Sequence, residues 1–254
     1  MVRTRSHGGN DVNLQELSWV RADEALAHTD TALVPVGAVE AYGPHLPLGS
    51  DGLVALHVAN RLGERVHAVV TPLIPIGCSQ SLMSFPGTLS VESSSLKAYL
   101  TDICKSLVFH GIKRIVFVNG HAGNVALIGE ICREFIASGV RCAQVDWWRA
   151  VYKAAPEFTD TGDVAIGHAG EVCSSVVMAA RGDLVDMERA TKTKEKAKLG
   201  LSGVYPEVVQ YDIPYRAITA SGMTGDATTA TPEKGVQMIE KCVDRIESFL
   251  KEWK

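Results

Sequence analysis

The sequence predicts an α/β fold of three layers, with helices covering both faces of a mainly parallel β-sheet. Two observations predict it. Short β-branched runs alternate with amphipathic stretches from one end of the chain to the other, the pattern of buried strands joined by crossover helices. No linker or internal repeat divides the 254 residues, and 46% of them are hydrophobic, enough to fill one large core.

The elements follow in order. "TALVPVGAV" (31–39), "HAVVTPLIPIG" (67–77), "RIVFVNG" (114–120) and "VRCAQVDWW" (140–148) read as buried strands. Residues 52–62 read as a helix that Asp51 is placed to cap. In 93–110, Leu96, Leu100, Ile103, Leu107 and Val108 recur at spacings of three and four, and Gly111 supplies the stop. Residues 124–138 repeat this pattern and end at Gly139, and 171–181 read as a further helix. Thr231-Pro232 opens the last one, whose apolar face is Val236, Ile239, Val243, Ile246 and Leu250. Residues 191–221, with three tyrosines, two prolines and no period, suggest a flap or a subunit contact.

The composition excludes several classes. The formal net charge is −4, with no basic stripe, so nucleic acid is not expected as a partner. The lysine cluster "KTKEKAK" (192–198) is broken by Glu195 and reads as a solvated segment. No apolar run approaches the ~18–20 residues of a membrane span. Residues 1–12 are polar, lack the apolar stretch of a secretion signal and read as a disordered N-terminus, leaving 13–254 as a single domain. The six cysteines are scattered without a CxxC pair and read as reduced thiols of a cytoplasmic protein.

In sheets of this kind, chemistry gathers beyond the carboxyl ends of the strands. "VGAVEAYGPHLPLGSD" (36–51) follows the first strand; Gly37, Gly43, Pro44, Pro47 and Gly49 rule out a helix through its middle. "NGHAGN" (119–124) follows the third strand, and "GHAGEVCSS" (167–175) leads into the helix 171–181. Glu40, Asp51 and His121 are two carboxylates and an imidazole, a donor set suited to Zn²⁺ or Mn²⁺. His45, His168, Glu171 and Cys173 offer further ligands or a proton carrier. Each also has a plain structural reading: Asp51 as a cap, His45 as a hydrogen-bonder between prolines, His121 as the polar end of a tight turn. No GxGxxG or GxxxxGK[ST] phosphate loop occurs.

"LVPVGAVEAYGPHLPLGSD" (33–51), "FPGTLS" (85–90), "VFVNGHAGN" (116–124), "GHAGE" (167–171) and "GMTGDATTATPEKG" (222–235) together resemble the creatininase (creatinine amidohydrolase) family, in the family's order and over nearly the whole chain. The resemblance implies a creatininase-like α/β/α fold, a homo-oligomer (a hexamer), and a site with one or two Zn²⁺ or Mn²⁺ ions per chain. It implies hydrolysis of a C–N amide bond in a small cyclic or formamide-type substrate by metal-activated water. It places Glu40 and His121 on the first metal and Asp51 between both. It makes His168 the proton-transfer residue, Trp148 and Ser79 substrate contacts, and Glu171 a general base or second-metal ligand.

Three positions depart from the family pattern. Tyr42 stands where a histidine usually binds the second metal, Cys173 where many members carry a second glutamate, and Gly123 where creatinine-hydrolysing members carry another. Three arrangements fit these departures. A second metal is held by Asp51, Glu171, His45 and Cys173; or it is held loosely; or one metal suffices and Tyr42 contacts the substrate. Two rival activities follow: opening of a carbocyclic ketone or lactone with Tyr42 as the acid, or binding of a metal or small molecule without catalysis.

Overall fold

Strands β1 (Thr31–Val36), β2 (Val69–Val70), β3 (Arg114–Asn119) and β4 (Arg141–Asp146) form one parallel sheet in the order β2-β1-β3-β4. The computed structural model describes residues 12–162, 165–193, 204–205, 209–210 and 213–253. Helices α1 (Trp19–Ala27), α2 (Ser50–Val66), α3 (Ser93–Phe109), α4 (Val125–Glu134), α5 (Trp147–Ala154), α6 (Glu171–Arg181) and α7 (Pro232–Glu252) surround it.

The two-residue period of the strands sorts their side chains into two cores. Ala32, Val34 and Val36 of β1, with Ile115 and Phe117 of β3, meet Leu96 and Leu100 of α3 and Leu127 and Ile131 of α4. Leu33, Val116 and Val118 face the opposite way, onto Val58 and Leu62 of α2, Val176 of α6 and Val243 of α7. These are the three layers expected. Thr231 caps α7 through its side-chain oxygen, which accepts from the Lys234 amide at 3.3 Å.

All four strands are shorter than their apolar runs, and two of them show why. The run 67–77 pairs as a strand only at Val69–Val70. Pro72 and Pro75 have no amide hydrogen to give the ladder, and the run continues as irregular chain, held to β1 by the Thr71 amide donating to the Leu33 carbonyl at 3.0 Å and by the bridge of Ile74 to Val36. The run 140–148 ends at Asp146, and α5 begins at Trp147. Its buried residues Trp147, Val151 and Ala154 are spaced by four and three, a helical signal within a stretch that opens like a strand. Asp51 lies inside α2, whose N-cap is Gly49, so it is not the cap.

A short antiparallel ribbon, β5 (Val204–Tyr205) with β6 (Val209–Gln210), lies in the segment 191–221. Residues 194–203, 206–208 and 211–212 of that segment fall outside the described residues, as do residues 1–11. Val12 already belongs to the fold, its carbonyl accepting from the Val70 amide at 2.7 Å. No described helix is long and apolar enough to cross a membrane.

Candidate metal centre and cavity

β1, β3 and β4 are in register at their carboxyl ends, with Val36 beside Asn119 and Asn119 beside Asp146, so the three loops that follow leave one edge of the sheet together. Glu40, His121 and Trp148 all fall within a few residues of that edge. The two asparagines of "NGHAGN" staple the loops. Asn119 donates to Asp146 at 2.9 Å and accepts from the His121 amide at 3.1 Å, while Asn124 accepts from the Cys78 amide and donates to the Gly37 carbonyl, both at 3.0 Å. Gly120 lets β3 meet the start of α2, because a Cβ there would lie 2.3 Å from the Asp51 carbonyl oxygen. The "FPGTLS" stretch runs along the first loop, with Leu89 bridging Val39 and the Thr88 hydroxyl accepting from the Ala41 amide at 3.3 Å.

These contacts bring Glu40, Asp51 and His121 together, their ligand atoms all within 4.8 Å of one another and all three side chains buried. The Nδ1 atom of His121 is 3.1 Å from Glu40 Oε2 and 3.1 Å from Asp51 Oδ2. Its Nε2 lies 2.9 Å from the Cys78 carbonyl, which can only accept, so the proton of the neutral ring belongs on Nε2. Nδ1 then faces two carboxylates, an arrangement satisfied by a cation between the three groups or, without one, by a second proton on the ring.

The three groups also shape one another's titration. Burial raises the Asp51 carboxyl and the neighbouring Glu40 charge raises it further. At Glu40 burial works against ionisation, yet His121 and the Ser79 hydroxyl hold the carboxyl below its usual value. Burial likewise opposes charging of His121, but Glu40 and Asp51 carry it well above an ordinary imidazole. Three protein donors with a cavity beside them match the ligand count of catalytic zinc sites.

Ser79 was expected to touch substrate. Its hydroxyl instead donates to Glu40 Oε2 at 2.6 Å and lies 3.3 Å from His121 Nε2, so it orients two of the three donors. Removing an orienting partner of this kind typically weakens metal binding by about 10–100-fold. Ser79→Ala is expected to raise the Kd for Zn²⁺ by that factor in a competition titration against a chelating dye. Unchanged affinity would leave Ser79 without that role.

The cavity beside the triad measures about 590 Å³, and Tyr42, Trp148, Tyr152, His168 and Tyr215 line it with the three donors. His168 places its Nε2 2.7 Å from the Ala41 carbonyl, which fixes the proton there and leaves Nδ1 without a partner among the described residues. Its backbone is held in both directions by Thr224, and the Tyr42 ring lies against its own at 4.2 Å between centroids. Ala169 beside it adopts a left-handed φ of 59°, a conformation that costs an L-residue free energy and sets the turn into α6.

The Tyr42 hydroxyl donates to Cys173 Sγ at 3.7 Å, and the Tyr152 hydroxyl shares the same sulfur at 3.4 Å. Burial, then the nearby Asp51 charge, pushes the Tyr42 phenol well above its ordinary value. Burial also raises the Cys173 thiol. Tyr152 and Tyr215 were not foreseen. Tyr152 carried a signal, since it follows Trp148 by four residues and so shares its helix face.

Two expected site residues are not at the cavity. Glu171, the first residue of α6, is fully buried, but its oxygens accept from Lys234 Nζ at 2.7 Å, from the Thr161 hydroxyl at 2.5 Å and from the amides of Asp160 and Thr161 at 3.2 Å. Burial works against its ionisation, yet Lys234 and Thr161 keep its carboxyl below the usual range. This corrects its reading as base or ligand: the carboxylate ties α6 to α7 and to the 160–161 turn. Lys234 therefore explains the "TPEKG" stretch. His45 also points away from the triad, its Nε2 2.7 Å from the Ser174 hydroxyl, which itself donates to the Ala169 carbonyl.

Burial lowers the His45 pKa to about 4. Below the ordinary value near ~6.5 the unfolded chain takes up a proton that the folded chain refuses. The stability tied to neutral His45 is therefore full above pH ~6.5 and falls as the pH drops toward about 4, by roughly 3 kcal/mol in all. Urea unfolding at pH 7 and pH 5 is expected to show the decline, and His45→Asn to flatten it. An equal slope in the variant would sink the assignment.

The fold and the site define an α/β protein with a buried carboxylate–imidazole centre at the carboxyl edge of a parallel sheet. Residues 15–250 match the creatininase family, described as creatinine amidohydrolase, and the chain belongs to that family of hydrolases. Creatinine amidohydrolase of Pseudomonas putida is 30% identical over 256 residues, 93% of this chain and 95% of its own. The mycofactocin precursor peptide peptidase of Mycolicibacterium smegmatis is 33% identical over 231 residues, 85% of this chain and 84% of its own. A solved creatininase in a manganese form matches with a TM-score of 0.78 at 30% identity, covering 96% of this chain and 98% of that one. A mutant creatininase of Zn–Zn type matches with 0.77 at 29% identity and the same coverage.

Proposed function

We propose that the chain is a metal-dependent hydrolase that binds Zn²⁺ or Mn²⁺ between Glu40, Asp51 and His121 and cleaves the amide C–N bond of a small, uncharged, cyclic or formamide-type substrate. The observation that carries this reading is the convergence of two buried carboxylates and one imidazole lone pair on a single point at the edge of a cavity. A divalent cation bound there supplies Lewis-acid polarisation of a carbonyl and a nucleophile from water near neutral pH.

The chain's own residues supply the rest. His168, its Nε2 proton committed to Ala41, uses Nδ1 to take a proton from the attacking water and return it to the departing nitrogen. Trp148 offers a flat apolar wall and Tyr42 a phenol that keeps its proton. No lysine or arginine lines the cavity among the described residues, so no side-chain cation there is placed to pair with an anionic group of the substrate.

Tyr42 at the cavity wall leaves a second reading to test, the opening of a carbocyclic ketone or lactone, in which its hydroxyl would turn from Cys173 to donate to the substrate. The test is a panel of cyclic amides, formamides, cyclic ketones and lactones offered to the Zn²⁺- and Mn²⁺-loaded protein. Chelator-sensitive turnover of amides is expected. Turnover confined to ketones or lactones would replace the amide reading with the second, and tight metal binding without any turnover would leave a binding protein.

A further inference from the structure

A scaffold whose relatives include a Zn–Zn form raises the question of how many ions this chain holds. The three positions at which it departs from its family meet in space or in consequence. Tyr42 and Cys173, separated by 131 residues, touch, and Tyr152 joins them from α5. All the protons of this cluster can be placed. Cys173 Sγ donates to the Gly167 carbonyl at 3.4 Å, and the phenols of Tyr42 and Tyr152 direct their hydroxyls onto the sulfur. A thiol used in this way has no free lone pair for a metal, and a zinc ligand has to be a thiolate. Neutral phenols are no substitute.

Gly123 adds the third departure, and not merely by lacking a carboxylate. A Cβ there would lie 2.1 Å from the Cys78 carbonyl oxygen and 2.6 Å from His121 Nε2, so the backbone leaves no room for a side chain. Other donors do not reach the triad: Glu171 is spent on Lys234 and Thr161, and His45, bonded to Ser174 through Nε2, is not grouped with the three ligands. Among the described residues, Glu40, Asp51 and His121 are the one group arranged to hold an ion.

We infer that this chain holds a single metal ion, and that the Tyr42–Cys173–Tyr152 cluster closes the space of the second ion with neutral, mutually hydrogen-bonded groups. The inference rests on the triad reading given above, and the two fail differently. The experiment is Zn²⁺ titration by calorimetry with elemental analysis after dialysis, on the wild-type chain, on Cys173→Ser, and on the double variant Tyr42→His with Cys173→Glu.

One zinc per chain is expected for the wild type and for Cys173→Ser, with affinities within a few-fold. The folded double variant, its fold checked by circular dichroism, is expected to take up a second ion. Cobalt substitution of the wild type should give no thiolate-to-metal charge-transfer band in the near ultraviolet. Two ions in the wild type, loss of the ion in Cys173→Ser, or a thiolate band would overturn the inference and leave the triad standing. No ion at all would overturn the triad reading itself. A folded double variant that still binds one ion would show that Tyr42 and Cys173 are not what excludes the second.

Discussion

Replacing Glu40 by glutamine is expected to empty the metal centre and take hydrolysis down with it. The exchange keeps the shape of the side chain but replaces one anionic donor of the triad with a neutral amide. Losing a mere orienting partner already costs a metal site about 10–100-fold in affinity, and Glu40 is a donor itself, 3.1 Å from His121 Nδ1. The zinc left after dialysis should therefore fall to trace, with turnover falling in proportion and returning only at high Zn²⁺ concentration. The fold is expected to survive, because Asp51 keeps its 3.1 Å contact with His121 and the Ser79 hydroxyl can donate to the amide oxygen. Elemental analysis beside a thermal unfolding curve reads both quantities. A folded variant with full metal content would refute the ligand assignment.

Replacing His168 by alanine separates chemistry from metal binding. General acid–base transfer by a positioned side chain is worth about 10²–10⁴ in rate, or about 3–5 kcal/mol of barrier. Turnover should fall by that factor while zinc stays at the wild-type level, since His168 spends Nε2 on the Ala41 carbonyl and is not among the three grouped donors. His168→Gln supplies the control, because its amide is able to keep the bond to Ala41 but carries no titratable proton; it should be as slow as alanine. Wild-type turnover in either variant would remove His168 from the mechanism.

Much of this was legible in the sequence. The three layers followed from β-branched runs of strand length alternating with apolar spacings of three and four, and both cores are filled by residues those patterns name, except that Val236 of α7 stays half exposed and Met238 and Cys242 are buried on that helix instead. The triad was legible for a related reason. Glu40 and His121 stand just beyond two apolar runs, and in a parallel sheet such loops meet at one edge. Errors arose where local pattern and backbone chemistry disagreed. Pro72 and Pro75 cut a strand that apolar content alone would extend, and the tryptophan pair at 147–148 closes a strand-like run but opens a helix.

The case of Glu171 is instructive because its surroundings looked the same as a true site motif. It stands three residues after His168, yet the histidine lines the cavity and the glutamate turns to Lys234, 63 residues further on. Which way a carboxylate in the first turn of a helix points depends on how the helix is rotated about its axis. That rotation is set by packing against α7, not by the four residues around it.

What the sequence by itself determined is therefore the list of elements, the sheet edge where chemistry collects, and the charged donors that meet there. Strand and helix periods are local, and a charge needs a partner wherever it is buried. The tertiary structure alone decided that Tyr42, Cys173 and Tyr152 meet in a neutral cluster and that Ser79 serves Glu40. Neutral hydroxyls and thiols carry no long-range field and follow no period, so their partners are chosen only when packing brings distant segments within hydrogen-bond reach.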